Sequence, residues 1–166
     1  LALGVGLGRG VPSAGLIAAG VAVAVLPDLD VVTLHWGVPY SAGLGHRGFS
    51  HSLLVAALVA LIGACAHRAL RSGFGGAFAF LFVSMASHGA LDAFTDGGLG
   101  VAFLWPWSTR RFFAPADWRV IEVSPIGLGA FLPRAAVVLA SEARWVGLPA
   151  LALGLALAGA RRAMTR

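Results

Sequence analysis

The chain has 166 residues, 58% of them apolar and only 11% charged, with a mean hydropathy of +0.86. Soluble domains usually carry about 25% charged residues, so this composition excludes a disordered chain and disfavours a free-standing cytosolic domain. The net charge of +5 comes from twelve Arg, with no Lys, against seven acidic residues. The arginines form no basic stripe, so no nucleic-acid partner is expected; they read instead as groups flanking apolar segments and facing lipid headgroups.

The pattern predicts an all-α integral membrane protein, a single domain over residues 1–166 with about four apolar helices. The competing reading is a soluble helical protein with very apolar helices. The chain opens on Leu1 inside an apolar pattern, which suggests a truncated start; a signal peptide ending near Ala22-Val23-Ala24 is the alternative for that region. Four stretches without Asp, Glu, Lys or Arg follow in order: Gly10–Pro27, Ser52–His67, Ser72–Leu91 and Trp145–Ala160. Against the roughly 20 residues that a crossing needs, they are short to adequate. Small residues such as Gly15, Ala19 and Ala22 suit close helix packing. Cys65, the single cysteine, lies in an apolar run and reads as a packing residue. Between Asp96 and Arg144, Pro106, Pro115, Pro125 and Pro133 are expected to prevent a long helix. Trp105, Trp107 and Trp118 in the same stretch suggest a segment lying at the membrane–water interface.

The polar residues gather at particular ends of the apolar segments. The first ends in Leu26-Pro27-Asp28-Leu29-Asp30, the second begins with His46-Arg47-Gly48-Phe49-Ser50-His51, and the third ends in His88…Asp92…Asp96. If successive segments cross in alternating directions, the three clusters meet at one face. His88 and Asp92 stand four apart and share a helical face, which Ser84 and Asp96 are expected to extend. Imidazole and carboxylate together suit zinc first, with manganese or iron as alternatives. Each element alone has a plain explanation: His and Asp pair on a helix, and Asp beside Pro caps or turns. Their coincidence at one face favours a metal or catalytic site. His35 and His67 lack such support.

These motifs also carry a resemblance. LPDLD, GHRGFSHSL, SHGALDAFTDGG and FLWPWSTRRFF, over roughly residues 20–115, resemble the motif set of the YdjM-type family. Its members are described as inner-membrane-associated, metal-dependent hydrolases and carry a LexA-binding label. The resemblance implies a multi-pass protein of the inner membrane with a hydrolase-like metal site. Asp28 and Asp30 match its PDxD; His46, Arg47 and His51 match its HRGxTHS, with Ser50 in place of Thr; His88 and Asp92 match its HxxxD, and Thr95 the threonine after it. Family members usually carry a further His ahead of the first apolar segment, a position that this sequence does not include.

The resulting expectation is a membrane-bound hydrolase that acts on a phosphoester or lipid-like substrate through a divalent metal ion. Asp28, His46, His51, His88 and Asp92 are the expected ligands, with two metals conceivable. Asp30 is expected as a ligand or general base, and Arg47 as a fork for a phosphate oxygen. Arg110 and Arg111 are expected either to extend that anion site or to anchor in headgroups. Membrane lipid is the expected partner. A metal-ion or proton transporter and a non-catalytic membrane adaptor are the alternative functions. Six arginines fall on each side, so the positive-inside rule leaves orientation open, leaning to an outward site if Arg47, Arg110 and Arg111 serve substrate.

Overall fold

The computed structural model describes residues 12–164, with the side chains of Arg161, Arg162 and Met164 outside that description. The expectations about the chain start, including the opening of the Gly10–Pro27 stretch and Arg9, fall partly or wholly on residues 1–11 and lie outside the described residues, as does Arg166.

Helix α1 (Ala14–Val25) starts where the Ser13 hydroxyl accepts the Leu16 N–H at 3.1 Å. That hydroxyl donates in turn to the Leu70 carbonyl, tying the start of α1 to the far end of the next helical pair. Pro27 does not stop this helix. The chain tightens into a 3-10 turn over Leu26–Asp30 and continues as α2 (Val31–His35), so one helical run of 22 residues spans Ala14–His35. Proline needs no N–H in the first turn of such a segment, which is why it is accommodated there. Helix α3 (Leu53–Cys65) is capped by the Ser52 hydroxyl, and α4 covers Phe74–Asp92.

Helix α4 lies between α1 and α3. Its buried stripe, Ala77, Leu81, Met85 and Gly89, repeats every four residues. Ala56, Ala60 and Ala64 form the matching stripe on α3. Small side chains let these backbones approach closely, the expected solution where lipid replaces water and packing drives association. The core is Leu16, Ala60, Ala64, Ala77 and Leu81, flanked by Phe78, Phe80 and Phe82. Gly20 marks a close approach of α1 to α4: a Cβ there would lie 2.5 Å from Phe80 Cε1.

Among the described residues, three helical runs are long and apolar enough to cross a membrane: Ala14–His35, Phe74–Asp92 and Leu128–Ala160. The fourth apolar segment, α3, has 13 residues. At about 1.5 Å per residue that is roughly 20 Å, short of a 30 Å hydrocarbon core. Pro133 also fails to interrupt its helix. Helices α5 (Leu128–Phe131), α6 (Ala135–Glu142) and α7 (Leu148–Met164) join through a 3-10 turn at Leu132–Arg134 and a π-helical turn at Ala143–Gly147. The irregular segment therefore ends near residue 127 instead of reaching Arg144.

That segment locks the site end of the bundle. Leu53 N–H bonds the Phe103 carbonyl and Ala102 N–H bonds the Arg47 carbonyl, both at 3.0 Å. Isolated bridges join Thr95 to Ile121 and Val101 to Phe112. Trp107 and Trp118 are exposed.

Candidate metal centre

Alternating directions bring the 3-10 turn within the Ala14–His35 run, the start of α3 and the end of α4 to one place. Asp28, His51, His88 and Asp92 each offer a ligand atom there, all within 4.8 Å of one another. Asp28 Oδ1 lies 3.2 Å from His88 Nε2 and 3.7 Å from His51 Nε2; Asp92 Oδ2 lies 3.1 Å from His51 Nε2 and 3.8 Å from His88 Nε2. Gly89 permits this approach, because a Cβ there would press on the His51 carbonyl at 3.2 Å.

The contacts are close, yet His51 Nε2, His88 Nε2 and Asp92 Oδ2 are buried without a hydrogen-bond partner. Polar atoms buried so are costly unless something satisfies them. Two imidazole nitrogens and a carboxylate oxygen converging on one point are the donor set of a borderline divalent cation, and the residues present fit one.

The orientation of His51 follows from Asp30. Asp30 is 4% exposed, and its Oδ1 lies 2.6 Å from His46 Nδ1. Its Oδ2 accepts the Arg47 N–H at 3.1 Å and the Ser50 hydroxyl in a very short bond. With its proton committed to Asp30, Ser50 Oγ accepts from His51 Nδ1 at 2.9 Å, and Asp30 Oδ2 also faces that nitrogen at 3.3 Å. His51 Nε2 is thereby turned toward Asp28 and Asp92. Burial alone lowers the His51 pKa, but Asp28, Asp30 and Asp92 outweigh it and push the value up to about 10. The pocket thus calls for positive charge at its centre.

Arg47 holds the other flank. Its φ of 59° places it in the left-handed region, and it is 4% exposed. Its guanidinium pairs with Asp92 Oδ1 at 3.1 Å and donates to Thr95 Oγ1 at 2.9 Å and the Gly97 carbonyl at 3.1 Å. Gly98, at φ 84°, keeps room for it: a Cβ there would lie 2.8 Å from Arg47 Nη1 and 3.0 Å from the Tyr40 hydroxyl.

Several expected residues stand elsewhere. His46 lines the adjoining cavity but lies outside the four-residue group, with Nδ1 held by Asp30 and its ring packed edge-on against Tyr40 and His51. Asp30 has both oxygens engaged by neighbouring donors. The Arg111 guanidinium bonds the carbonyls of Tyr40, Ala42, His46 and Gly100. Arg110 is exposed over the Phe112 ring, and neither arginine lines the cavity. Ser84 does not extend the polar stripe, because its hydroxyl bonds back to the Phe80 carbonyl on its own helix. Asp96 lies beyond the end of α4, and its Oδ1 accepts the Val123 N–H at 2.8 Å.

The cavity, about 430 Å³, is lined by Asp28, Arg47, His88 and Asp92 and, from later in the chain, by Ile121, Glu122, Ser124, Pro125, Ile126, Gly127, Glu142 and Val146. Sequence reasoning missed Glu122 and Glu142. Their only mark was that acidic residues are scarce in so apolar a stretch.

The family model for the YdjM inner membrane protein matches residues 1–165. The chain belongs to the YdjM inner membrane protein family. It is 45% identical over 157 residues to inner membrane protein YbcI of Escherichia coli strain K12, an alignment covering 92% of this chain and 88% of that protein. No solved structure matches it. Family and spans together make this YdjM-family chain a multi-pass protein of the inner membrane.

Proposed function

We propose that this chain is a membrane-bound, metal-dependent hydrolase acting on a phosphoester or lipid-like substrate at the membrane surface. The observation that carries the reading is the convergence of three unpartnered buried atoms, His51 Nε2, His88 Nε2 and Asp92 Oδ2, beside Asp28, where Asp28, His88 and Asp92 line a cavity. Asp28, His51, His88 and Asp92 would hold the ion, with zinc the best match to the ligand set. A divalent cation held there supplies Lewis acidity to the scissile group and a nucleophile from water at neutral pH.

The remaining residues organise that centre. Asp30, through Ser50, fixes the tautomer of His51 with Nε2 free to ligate, the outer-shell arrangement that metal-binding histidines use. Arg47 fixes Asp92 by its Oδ1, leaving Oδ2 for the centre. The arrangement speaks against a transport pathway, because the buried stripes of α3 and α4 behind the site are Ala, Leu, Met and Gly.

Metal analysis of the detergent-purified chain should find a divalent ion at one equivalent or more. His51→Ala and Asp92→Ala should lose it, and the loaded protein should hydrolyse a member of a phosphoester and phospholipid panel. Metal-free protein, or metal content unchanged in both variants, refutes the centre; metal without turnover refutes the enzyme.

A further inference from the structure

The basic residues that the sequence offered for anion binding are already committed. Arg111 is spent on four backbone carbonyls, Arg47 holds Asp92, Thr95 and Gly97, and Arg110 lies exposed over the Phe112 ring. Of these only Arg47 lines the cavity, where its Nε is buried without a partner although the residue is more than nine-tenths buried. One bound divalent cation and Arg47 would together be balanced by Asp28, Asp30 and Asp92. Among the described residues that line the cavity, that balance leaves no surplus arginine charge to attract a phosphate dianion. The same cavity is also lined by Glu142, an exposed residue that has no ion-pair partner among the described residues.

We propose that the cavity takes the headgroup of an amine-bearing phospholipid, with its phosphodiester at the His/Asp cluster and its ammonium at Glu142. The proposal rests on the hydrolase reading of that site and names its substrate class. A phosphodiester carries one negative charge where a phosphomonoester carries close to two at neutral pH, so it suits a centre with no surplus positive charge. An ammonium on the same ligand supplies a charged donor for Glu142, a solvent-accessible carboxylate on the cavity lining. The space is about 9 Å across if round, room for a headgroup but not for two acyl chains. Val31, Leu91, Ile126 and Val146 are part of its apolar lining. Three of these four positions belong to helical runs long enough to cross the membrane, so the lining continues into surfaces that face lipid. A lipid therefore fits better than a free water-soluble headgroup.

The test uses the full chain in detergent, loaded with metal, and calorimetric binding of three ligands. These are short-chain phosphatidylethanolamine, short-chain phosphatidylglycerol and deacylated glycerophosphoethanolamine. The wild type should bind the ethanolamine lipid at least about tenfold more tightly than the glycerol lipid. Glu142→Gln should abolish that preference and Glu142→Lys should reverse it, with thermal midpoints showing that both variants fold. Equal affinity for the two lipids, or a preference that survives both substitutions, overturns the assignment of Glu142 and the amine. Equal affinity for the deacylated compound overturns the lipid assignment. Hydrolysis, followed on the same samples, separates the two readings. A protein that shows the preference but cleaves no phosphoester keeps this proposal and loses the enzyme; one that cleaves both lipids without preference does the reverse.

Discussion

Asp30→Asn is the most informative single change, because it tests whether the buried carboxylate tunes the centre from outside. The side chain keeps its shape and loses its charge. Its oxygen can still take the place of Oδ2, accepting from Arg47 N–H and Ser50, but its amide then faces His46 Nδ1, where a carboxylate oxygen sat at 2.6 Å. One charge-assisted hydrogen bond is lost, worth about 1.5–3 kcal/mol. The Ser50–His51 link loses the anion that polarised it, and outer-shell changes of this kind typically cost about 10–100-fold in metal affinity. That is roughly 1.4–2.8 kcal/mol at the metal. Affinity should be measured by competition with a chelator of known strength, with the thermal midpoint of the chelated protein as a folding control. His88→Ala, which removes a proposed ligand, should lose more than Asp30→Asn. An Asp30→Asn protein that folds and binds metal within twofold of the wild type would refute the role given to Asp30.

Other consequences are accessible to simpler assays. Arg111→Lys cannot reach four carbonyls with one ammonium and should lower the thermal midpoint by the equivalent of about 2–4 kcal/mol, leaving headgroup preference unchanged; a change in preference at unaltered stability would return Arg111 to the substrate. Gly20→Ala places a Cβ 2.5 Å from Phe80 Cε1 and 3.1 Å from Ser84 Oγ, so α1 should loosen from α4 at a cost of about 1–3 kcal/mol, and an unchanged midpoint would show that Phe80 simply turns away. The raised His51 pKa sets a pH signature for chelated protein. Its contribution to stability is complete below the unfolded value near 6.5 and falls as pH rises toward about 10, whereas metal competes with the same proton and should stabilise more as pH rises. Thermal midpoints with chelator and with excess metal should diverge between pH 6.5 and 9; parallel curves would mean that His51 does not exchange its proton for the ion.

The place of the centre was legible because two simple rules intersect. His88 and Asp92 share a helix face at i, i+4, and alternating crossings deliver the Asp28 and His51 ends to that face. The division of labour inside it was not legible. His46 and His51 flank the same turn and look equivalent as letters, yet only His51 reaches the cluster. The difference lies in backbone geometry: a residue at positive φ and the close approach of the Gly43 and Gly45 carbonyls at Gly48 send the two rings different ways. The surroundings of Arg111 were not legible for a related reason. Its four acceptors are loop carbonyls between residues 40 and 100, which become neighbours only after folding. Glu142 belongs to a helix that Pro133 was expected to keep from forming in one piece.

Asp28 and Asp30 show how a local error propagates into chemistry. Reading Pro27 as the end of the first helix leaves both aspartates in a turn, where either can serve as ligand or base. The chain instead continues through a 3-10 turn of about three residues, so two positions apart means about 240° around the axis. The pair cannot face one way. Asp28 points to the cluster with half of its side chain accessible, while Asp30 turns into the protein with its side chain fully buried. A buried carboxylate must be satisfied by donors, and His46, Arg47 N–H and Ser50 are the donors within reach. That need draws the turn carrying His46 to His51 against the first helix and so places His51 at the centre. On this argument the second aspartate of LPDLD is what assembles the site, and the first is what the assembled site presents to an ion.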